Sequence, residues 1–399
     1  MKQKVITLLK KFDDIVHENF GPIRVMFVIT NKFGLMCQLP LIKQMVKDSR
    51  FKVYITSVNR PSINNPVHDE LVDTYFISPQ KASLTKIHYV IYTDMPHLYF
   101  KRNCLKVSMS HGAAFGITDY TEKQSCHPEV DIVFGIGRSF RDKIEEYKPG
   151  TISNEKKLFF PTGFMKTDNL INKKQNRDKI LASLGLDPNK QTILIASHWT
   201  ESSILRTLES AIAEQISTDY PDHNVIQTAH EKIWTNPRLS NKESSEHFDS
   251  QALINQLQRV EQTCANFKLV RRSQIQPLLS IADAFVTDLS SVIVEYSLLD
   301  RPILFYNATD EVFTDPTTLK LYKDASTSFT QIDEIKPLLD QQLQNPALKS
   351  VGRRALADYF LDNQGEATKA SIETLLRMGR MSSRNSRKWR RALNLSKAT

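Results

Sequence analysis

No stretch of the chain approaches the roughly 18 consecutive apolar residues that a membrane-spanning helix requires. The longest apolar runs, such as Ile23 to Ile29 and Ile193 to Ala196, have the length of buried strands. The opening residues, Met1 to Lys11, have too short an apolar centre for a secretory signal and no small-residue cleavage site, so a cytoplasmic protein is expected. Cysteine is scarce: Cys37, Cys104, Cys126 and Cys264 show no paired spacing, which excludes a disulfide framework or a zinc knuckle. Cys126-His127 is the one adjacent pair of soft ligands and has no matching pair nearby, so reduced thiols are the expectation. There is no internal repeat at a fixed period.

What is present is the composition of a folded protein, with 40% hydrophobic and 24% charged residues over 399 residues, a length that favours two domains. The net charge of +9 is local. Arg377, Arg380, Arg384, Arg387, Lys388, Arg390, Arg391 and Lys397 fall in the last 23 residues with no acidic partner, which leaves 45 basic against 44 acidic residues before them. The body is therefore nearly neutral and the basicity belongs to a tail. Such a tail suits an anionic membrane surface or a polyanionic product. Nucleic acid is disfavoured as a partner, because no aromatic-interleaved basic patch accompanies the charge.

Helical spacing of Val5, Ile6, Leu8, Leu9, Phe12, Ile15 and Val16, with lysines opposite, predicts an amphipathic helix that docks on the body. After Gly21-Pro22 the chain alternates short apolar runs with helical stretches. Strands are expected at Ile23 to Thr30, Lys52 to Thr56, His88 to Tyr92, Lys106 to Met109, Asp131 to Gly135 and Lys157 to Phe160. The polar run Ile171 to Arg177 reads as a connection. A second series then follows at Thr192 to Ala196, Asn224 to Gln227, Phe267 to Val270, Ala284 to Thr287 and Pro302 to Tyr306, with Asn236 to Ser250 as a long surface loop. Two α/β halves, each with a parallel sheet, make a cleft between them the expected ligand site.

The stretch Ile281 to Tyr306 carries the most chemistry. It reads as a strand ending at Thr287, a turn, a helix from Ser291 to Leu299 and a strand after Pro302. Asp288, Ser290 and Ser291 are all favoured at a helix start. Backbone N–H groups and hydroxyls there suit phosphate oxygens, and Glu295, one turn on, could accept ribose hydroxyls. Helices that merely cap themselves use the same residues, so the pattern alone leaves both readings open.

This stretch resembles the signature of the CDP-glycerol glycerophosphotransferase family, the enzymes that build teichoic-acid-like polymers. The matching positions are Asp288, Leu289, Ser290, Ser291, Glu295 and Pro302 to Tyr306. Further resemblances occur in the family's order: Ser110-His111-Gly112; Gly163 with Lys166, Asp168 and Leu170; Ala196 and Trp199; His230; and Asp362 to Gly365. The departures are Gly116 in place of lysine, Thr200 in place of arginine, and Thr228 and Glu231 flanking His230 in place of a basic residue and proline. The resemblance is thus to a divergent member, and it implies the GT-B glycosyltransferase-like α/β fold with two Rossmann-like domains.

It also implies a domain plan: an amphipathic helix over 1–20, an acceptor domain over 21–172, a nucleotide-donor domain over 173–355, a helix over 356–380 returning to the body, and a basic tail over 381–399. The implied activity moves glycerol phosphate, or another polyol phosphate, from CDP-glycerol or CDP-ribitol to a hydroxyl of an envelope glycan such as a teichoic acid or capsule linker, releasing CMP. His111 and His230 are the implied catalytic pair, with His111 as the base. Thr287, Asp288, Ser290, Ser291, Glu295, Gly112, Lys166 and His198 form the implied donor and phosphate site. Arg271 or Arg272 could also reach phosphate, and Trp199 reads as core or site wall. Carboxylates do not cluster as magnesium ligands, so no cofactor and no divalent metal is expected. The tail would make the protein peripheral at the inner face of the cytoplasmic membrane. Two other readings use the same residues: a GT-B glycosyltransferase or 2-epimerase-like enzyme acting on a nucleotide sugar, and a non-catalytic scaffold that keeps the nucleotide site.

Overall fold

The computed structural model describes residues 12–58, 76–95, 98–117, 120–172, 175–240, 247–271, 275–310, 313–385 and 387–398. Most of the segment read as an N-terminal amphipathic helix, and Arg272, lie outside the described residues. The chain divides into two units. The first comprises Met1–Gly112, Asp119–Asp168 and Phe360–Thr399, and the second comprises Ala113–Thr118 and Asn169–Tyr359.

The first unit is built on six strands: β1 (Ile23–Ile29), β2 (Phe51–Ser57), β3 (Tyr89–Tyr92), β4 (Leu105–Met109), β5 (Ile132–Gly135) and β6 (Leu158–Pro161). They form one parallel sheet in the order β2-β1-β3-β4-β5-β6. Nearly every residue of these strands is buried, which is why they read as continuous apolar runs and not as alternating ones. Helix Lys32–Met45 covers the sheet with Leu35, Leu39, Ile42 and Met45. The chain end returns to the same core, where Leu375 and Met378 of helix Ala367–Met378 and Trp389 and Ala392 of helix Arg387–Ala398 are buried. The segment read as a basic tail over 381–399 is a folded helix over most of its length, Arg387–Ala398. Trp389, Ala392 and Ser396 recur at helical spacing and give it a face to bury.

Two of the motif residues are structural here. Asp168 accepts hydrogen bonds from the backbone N–H groups of Ala367 (3.0 Å) and Thr368 (2.7 Å), satisfying the start of the helix they open. Gly163 has φ +90°, and a Cβ on it would lie 2.3 Å from the Asp362 carbonyl oxygen. Asp362 in turn accepts from the N–H of Arg138 (2.8 Å), just before helix Ser139–Tyr147.

The second unit has β7 (Thr192–Ser197), β8 (Asn224–Ala229), a small antiparallel pair β9 (Arg238–Ser240) and β10 (His247–Asp249), then β11 (Phe267–Leu269), β12 (Ala284–Thr287), β13 (Ile303–Tyr306) and β14 (Thr327–Phe329). Its main sheet is again six-stranded and parallel, in the order β11-β8-β7-β12-β13-β14. The two parallel α/β sheets match the expected fold class. Two elements differ from expectation. The Asn236 to Ser250 loop contains the β9–β10 pair, and β14 joins the sheet edge; both are three-residue, partly polar strands that leave no periodic signal.

Because only glycine adopts the conformation of residue 163 beside a backbone carbonyl without strain, Gly163→Ala should lower unfolding free energy by about 2 kcal/mol or more in urea titration. An unchanged midpoint would mean that the 362–367 segment gives way at little cost.

Candidate active site

In each sheet the chain leaves a central strand to one side and returns on the other, and the carboxyl ends of the two strands flanking that reversal open a crevice. In the first sheet these strands are β1 and β3. Thr30 and Asn31 follow β1, Thr93 and Asp94 follow β3, and His111 follows β4. The Asp94 carboxylate accepts from Thr30 Oγ1 (3.2 Å), Asn31 Nδ2 (3.0 Å) and Gln124 Nε2 (3.4 Å). It also stands 3.4 Å from His111 Nδ1. Gly34 makes room for this arrangement, since a Cβ there would sit 2.5 Å from Thr93 Oγ1.

The His111 ring is 28% exposed and meets Phe33 edge-on at 5.9 Å between centroids. Burial holds its imidazole below the ordinary histidine value, Asp94 pulls the other way, and the Lys166 ammonium pushes it further down. The ring is thus neutral near neutral pH with a carboxylate behind one nitrogen, the arrangement of an oriented general base. Lys166 is buried, its ammonium 5.0 Å from the Phe33 ring centroid and 5.9 Å from that of Phe164. Gly112 is held in a tight turn by Ser110, whose Oγ donates to the Gly112 carbonyl (2.7 Å) and accepts from its N–H (3.2 Å).

In the second sheet the reversal lies between β7 and β12. Thr287 ends β12 with its side chain fully buried, and Asp288 follows, also fully buried. The Asp288 carboxylate accepts from Ser197 Oγ (2.7 Å), His198 N–H (2.8 Å) and Ile204 N–H (2.8 Å). Burial, opposed by these three donors, raises its pKa to about 6. Asp288 therefore points inward and ties the loop after β7 to the turn after β12; it does not face solvent as a phosphate contact. Glu295 is likewise buried and accepts from Gln276 Nε2 (2.6 Å). Ser290 and Ser291 are the partly exposed members of the motif, at the start of helix Val292–Ser297.

The loop that Asp288 holds carries His198 and Trp199. Their rings lie with that of His230 in one cluster, at centroid distances of 5.6 Å (His198–Trp199), 5.4 Å (His198–His230) and 6.4 Å (Trp199–His230). Burial and the nearby His230 and Lys232 push the His198 imidazole down to about 3, and its Nδ1 lies 3.1 Å from Thr200 Oγ1. His230 is exposed at the end of β8, and its Nδ1 accepts from the Lys232 N–H (3.2 Å), which assigns the proton of the neutral ring to Nε2. The Lys232 ammonium sits 3.5 Å above the Trp199 ring. The Arg271 guanidinium stacks at 5.7 Å on the Trp234 ring. Among the described residues no group of three or more His, Cys, Asp or Glu side chains gathers as a metal site.

Asp94 and Lys232 are the functional candidates missed in the sequence. Asp94 carried a usable signal, since it comes two residues after an apolar strand; Lys232 carried none beyond its nearness to His230. One departure acquires a physical cause. Gly116 has φ +75°, and a Cβ there would lie 2.6 Å from Asp315 Cβ and 2.7 Å from Thr318 Oγ1, so lysine has no space at this position.

A family model described as CDP-Glycerol:Poly(glycerophosphate) glycerophosphotransferase matches residues 151–324, the span that holds both the Asp288 turn and the His198–His230 cluster. That span of the chain is similar to this family. The chain is 28% identical over 173 residues to the teichoic acid poly(glycerol phosphate) polymerase of Bacillus spizizenii, covering 40% of this chain and 38% of that protein. It is 23% identical over 259 residues to the teichoic acid glycerol-phosphate primase of Bacillus subtilis, covering 61% and 59%. The match spans less than two thirds of the length of these curated relatives. Among solved structures, the wall teichoic acid polymerase TagF superposes with a TM-score of 0.62 at 16% identity, covering 90% of this chain and 89% of that one. A UDP-N-acetylglucosamine 2-epimerase superposes at 0.59 and 14% identity, covering 90% and 96%. At such identities the likeness is one of fold, and it agrees with the GT-B-like expectation.

Asp288→Ala leaves three buried donors without an acceptor and should cost about 3 kcal/mol of unfolding free energy. Asp288→Asn supplies a pH test. The folded-state pKa lies above the unfolded one, so the contribution of Asp288 is largest at low pH and is lost as pH rises from about 4 to about 6. The stability difference between parent and Asp288→Asn should therefore change by ~1.4 kcal/mol per pH unit in that window and stay level above it.

Proposed function

We propose that the chain transfers glycerol phosphate, or ribitol phosphate, from a CDP-activated donor to a hydroxyl of an envelope glycan and releases CMP. The observation that carries this reading is the pairing, inside the family-matched span, of the Ser290–Ser291 turn with the His198–Trp199–His230–Lys232 cluster, joined through the buried Asp288 carboxylate. The second unit supplies groups suited to a diphosphate: two hydroxyls, an imidazole N–H at His230 Nε2, and the Lys232 ammonium. Thr287, Asp288 and Glu295 act as positioning residues behind them. His198, held neutral, adds a ring nitrogen without charge.

His111 is the base. Its neutral imidazole takes the proton of the acceptor hydroxyl as the acceptor oxygen bonds to the phosphorus that bears the polyol. The bond from that phosphorus to the CMP oxygen breaks, and CMP departs with the electron pair. Such a reaction depends on orientation and on charge stabilisation at the phosphate oxygens more than on covalent chemistry by the protein. Asp94 orients the His111 ring and stabilises the imidazolium, and Lys166 adds positive charge nearby. Gly112 leaves the backbone beside the base uncrowded.

A second reading, an enzyme acting on a nucleotide sugar, draws on the fold likeness to the UDP-N-acetylglucosamine 2-epimerase. Thermal-shift measurements separate the two: CDP and CDP-polyols should stabilise the protein, whereas stabilisation by UDP-sugars alone would favour the second reading.

The direct test is CMP release from CDP-glycerol and from CDP-ribitol in the presence of linkage-unit, capsule-linker and polymer acceptors. No release with either donor across that panel would overturn the proposal. His111→Ala should lower kcat by about 10²–10⁴-fold without loss of fold. Asp94→Asn should lower kcat by about tenfold and move the acid limb of the kcat/KM profile to lower pH, because the anion that raises the His111 pKa is gone. An acid limb that stays in place would remove Asp94 from this role.

A further inference from the structure

The groups assigned to the transfer chemistry stand at the carboxyl ends of strands. At the other end of the second sheet, ahead of β7, β12 and β13, lies a cavity of about 500 Å³. A volume of that order accommodates a small organic ligand. Gln191, Asp283 and Arg301, each just before one of these strands, line it, together with Leu170, Ile171 and Arg177 of the chain entering the second unit. None of the groups assigned to the transfer chemistry is among its lining residues.

Part of its wall is a closed ion pair. The Arg177 guanidinium bonds the carbonyls of Ile281 and Lys190, the Thr192 hydroxyl and the Asp283 carboxylate, the last at 2.8 Å. Asp283 also accepts from the Thr192 N–H (2.8 Å), so its charge is already matched within the wall. Two cations stay unbalanced. Arg301 is anchored through Nη1, which donates to the carbonyls of Ser280 (3.0 Å) and Ala282 (2.6 Å). Its Nε and Nη2 meet no acceptor among the described residues. The Lys190 ammonium donates to the Pro221 carbonyl (3.2 Å) and forms no ion pair among the described residues. Asp283 is the one carboxylate among the described lining residues, and Pro188 and Leu299 extend the apolar wall that Leu170 and Ile171 begin.

We propose that this cavity binds a small phosphate ester, with its phosphate against Arg301 and Lys190 and its organic part against the apolar wall. A guanidinium held by one nitrogen keeps the rest of its planar fork for an oxyanion, and two oxygens of a phosphate match that fork. The anchor at Nη1 also fixes the side chain beforehand, so little of its freedom is lost on binding. A neutral sugar would leave both cations unmatched, and a metal cation would be repelled by them. Two sources share the required chemistry, a nucleoside monophosphate and a polyol phosphate. The inference is independent of the donor and acceptor chemistry proposed above, since it uses none of the same residues.

The test is isothermal titration calorimetry of the full chain with CMP and, separately, with glycerol phosphate, using cytidine and glycerol as the uncharged controls. At least one ester should bind with a dissociation constant of about 1 mM or tighter while its control does not, and the ester that binds identifies the source. Lys190→Glu, which gives up a single hydrogen bond, should weaken that binding at least about tenfold. Arg301→Lys, which keeps the charge and loses the fork, should weaken it at least about threefold. Thermal melting near that of the parent confirms that each variant is folded. CMP also suits the proposed transfer site, so the titrations are repeated with the double substitution Ser290→Ala, Ser291→Ala, in which binding at the cavity should persist. Absence of binding by both esters, or binding by either folded cation variant equal to that of the parent, overturns the proposal. So does binding that the double serine substitution abolishes and Lys190→Glu leaves in place, which would assign the ligand to the transfer site.

Discussion

The carboxylate of Asp288 is fully buried, and three donors from the end of β7 and the segment after it converge on it: the Ser197 hydroxyl and the backbone N–H groups of His198 and Ile204. A buried acceptor of this kind is costly unless all its partners are present. That condition couples the turn after β12 to the loop after β7, so the partly exposed Ser290 and Ser291 and the ring of His198 are held by one group. Everything assigned to the donor end of the chemistry rests on this junction.

The first unit solves the same geometric problem with a different balance of exposure. Asp94 also follows a strand at the reversal of its sheet and also gathers donors, from Thr30, Asn31 and Gln124. Its side chain is 21% exposed, however, and it stands against a histidine ring and not only against backbone. One carboxylate is buried and ties down a loop, whereas the other is partly exposed and stands behind a histidine ring. The difference lies in burial, because the residue type and the place on the sheet are alike.

Much of the architecture was legible in the residue order. The strands of both parallel sheets announce themselves as short apolar runs because both of their faces are covered, and all eleven expected strands begin within one residue of their observed start. The β9–β10 pair and β14 were not legible, since three residues with polar members carry no periodic signal. The motif residues split in a way that spacing cannot reveal. Ser290, Ser291, His111 and His230 reach the surface of their units, whereas Thr287, Asp288 and Glu295, two to four positions from the nearer of the two serines, are buried. Asp168 and Gly163 proved to be concerned with helix capping and backbone clearance at the returning chain end.

The basic chain end illustrates the same division. Its charge could be counted from the sequence, but Trp389 and Ala392 make it a packed helix, and Arg380 and Lys388 bind it to the carbonyls at 18, 19 and 21. By itself, then, the order of residues determined two parallel α/β sheets, the place of the Asp288 to Ser291 turn at a strand's end and the surplus of cations at the C-terminus, because each is written in local periodicity or composition. Only the tertiary structure decided which way each motif side chain points, that Asp94 stands behind His111, that Lys232 covers Trp199, and that Lys190 and Arg301 line one cavity. Those outcomes depend on contacts between residues far apart in the chain, and no local pattern encodes them.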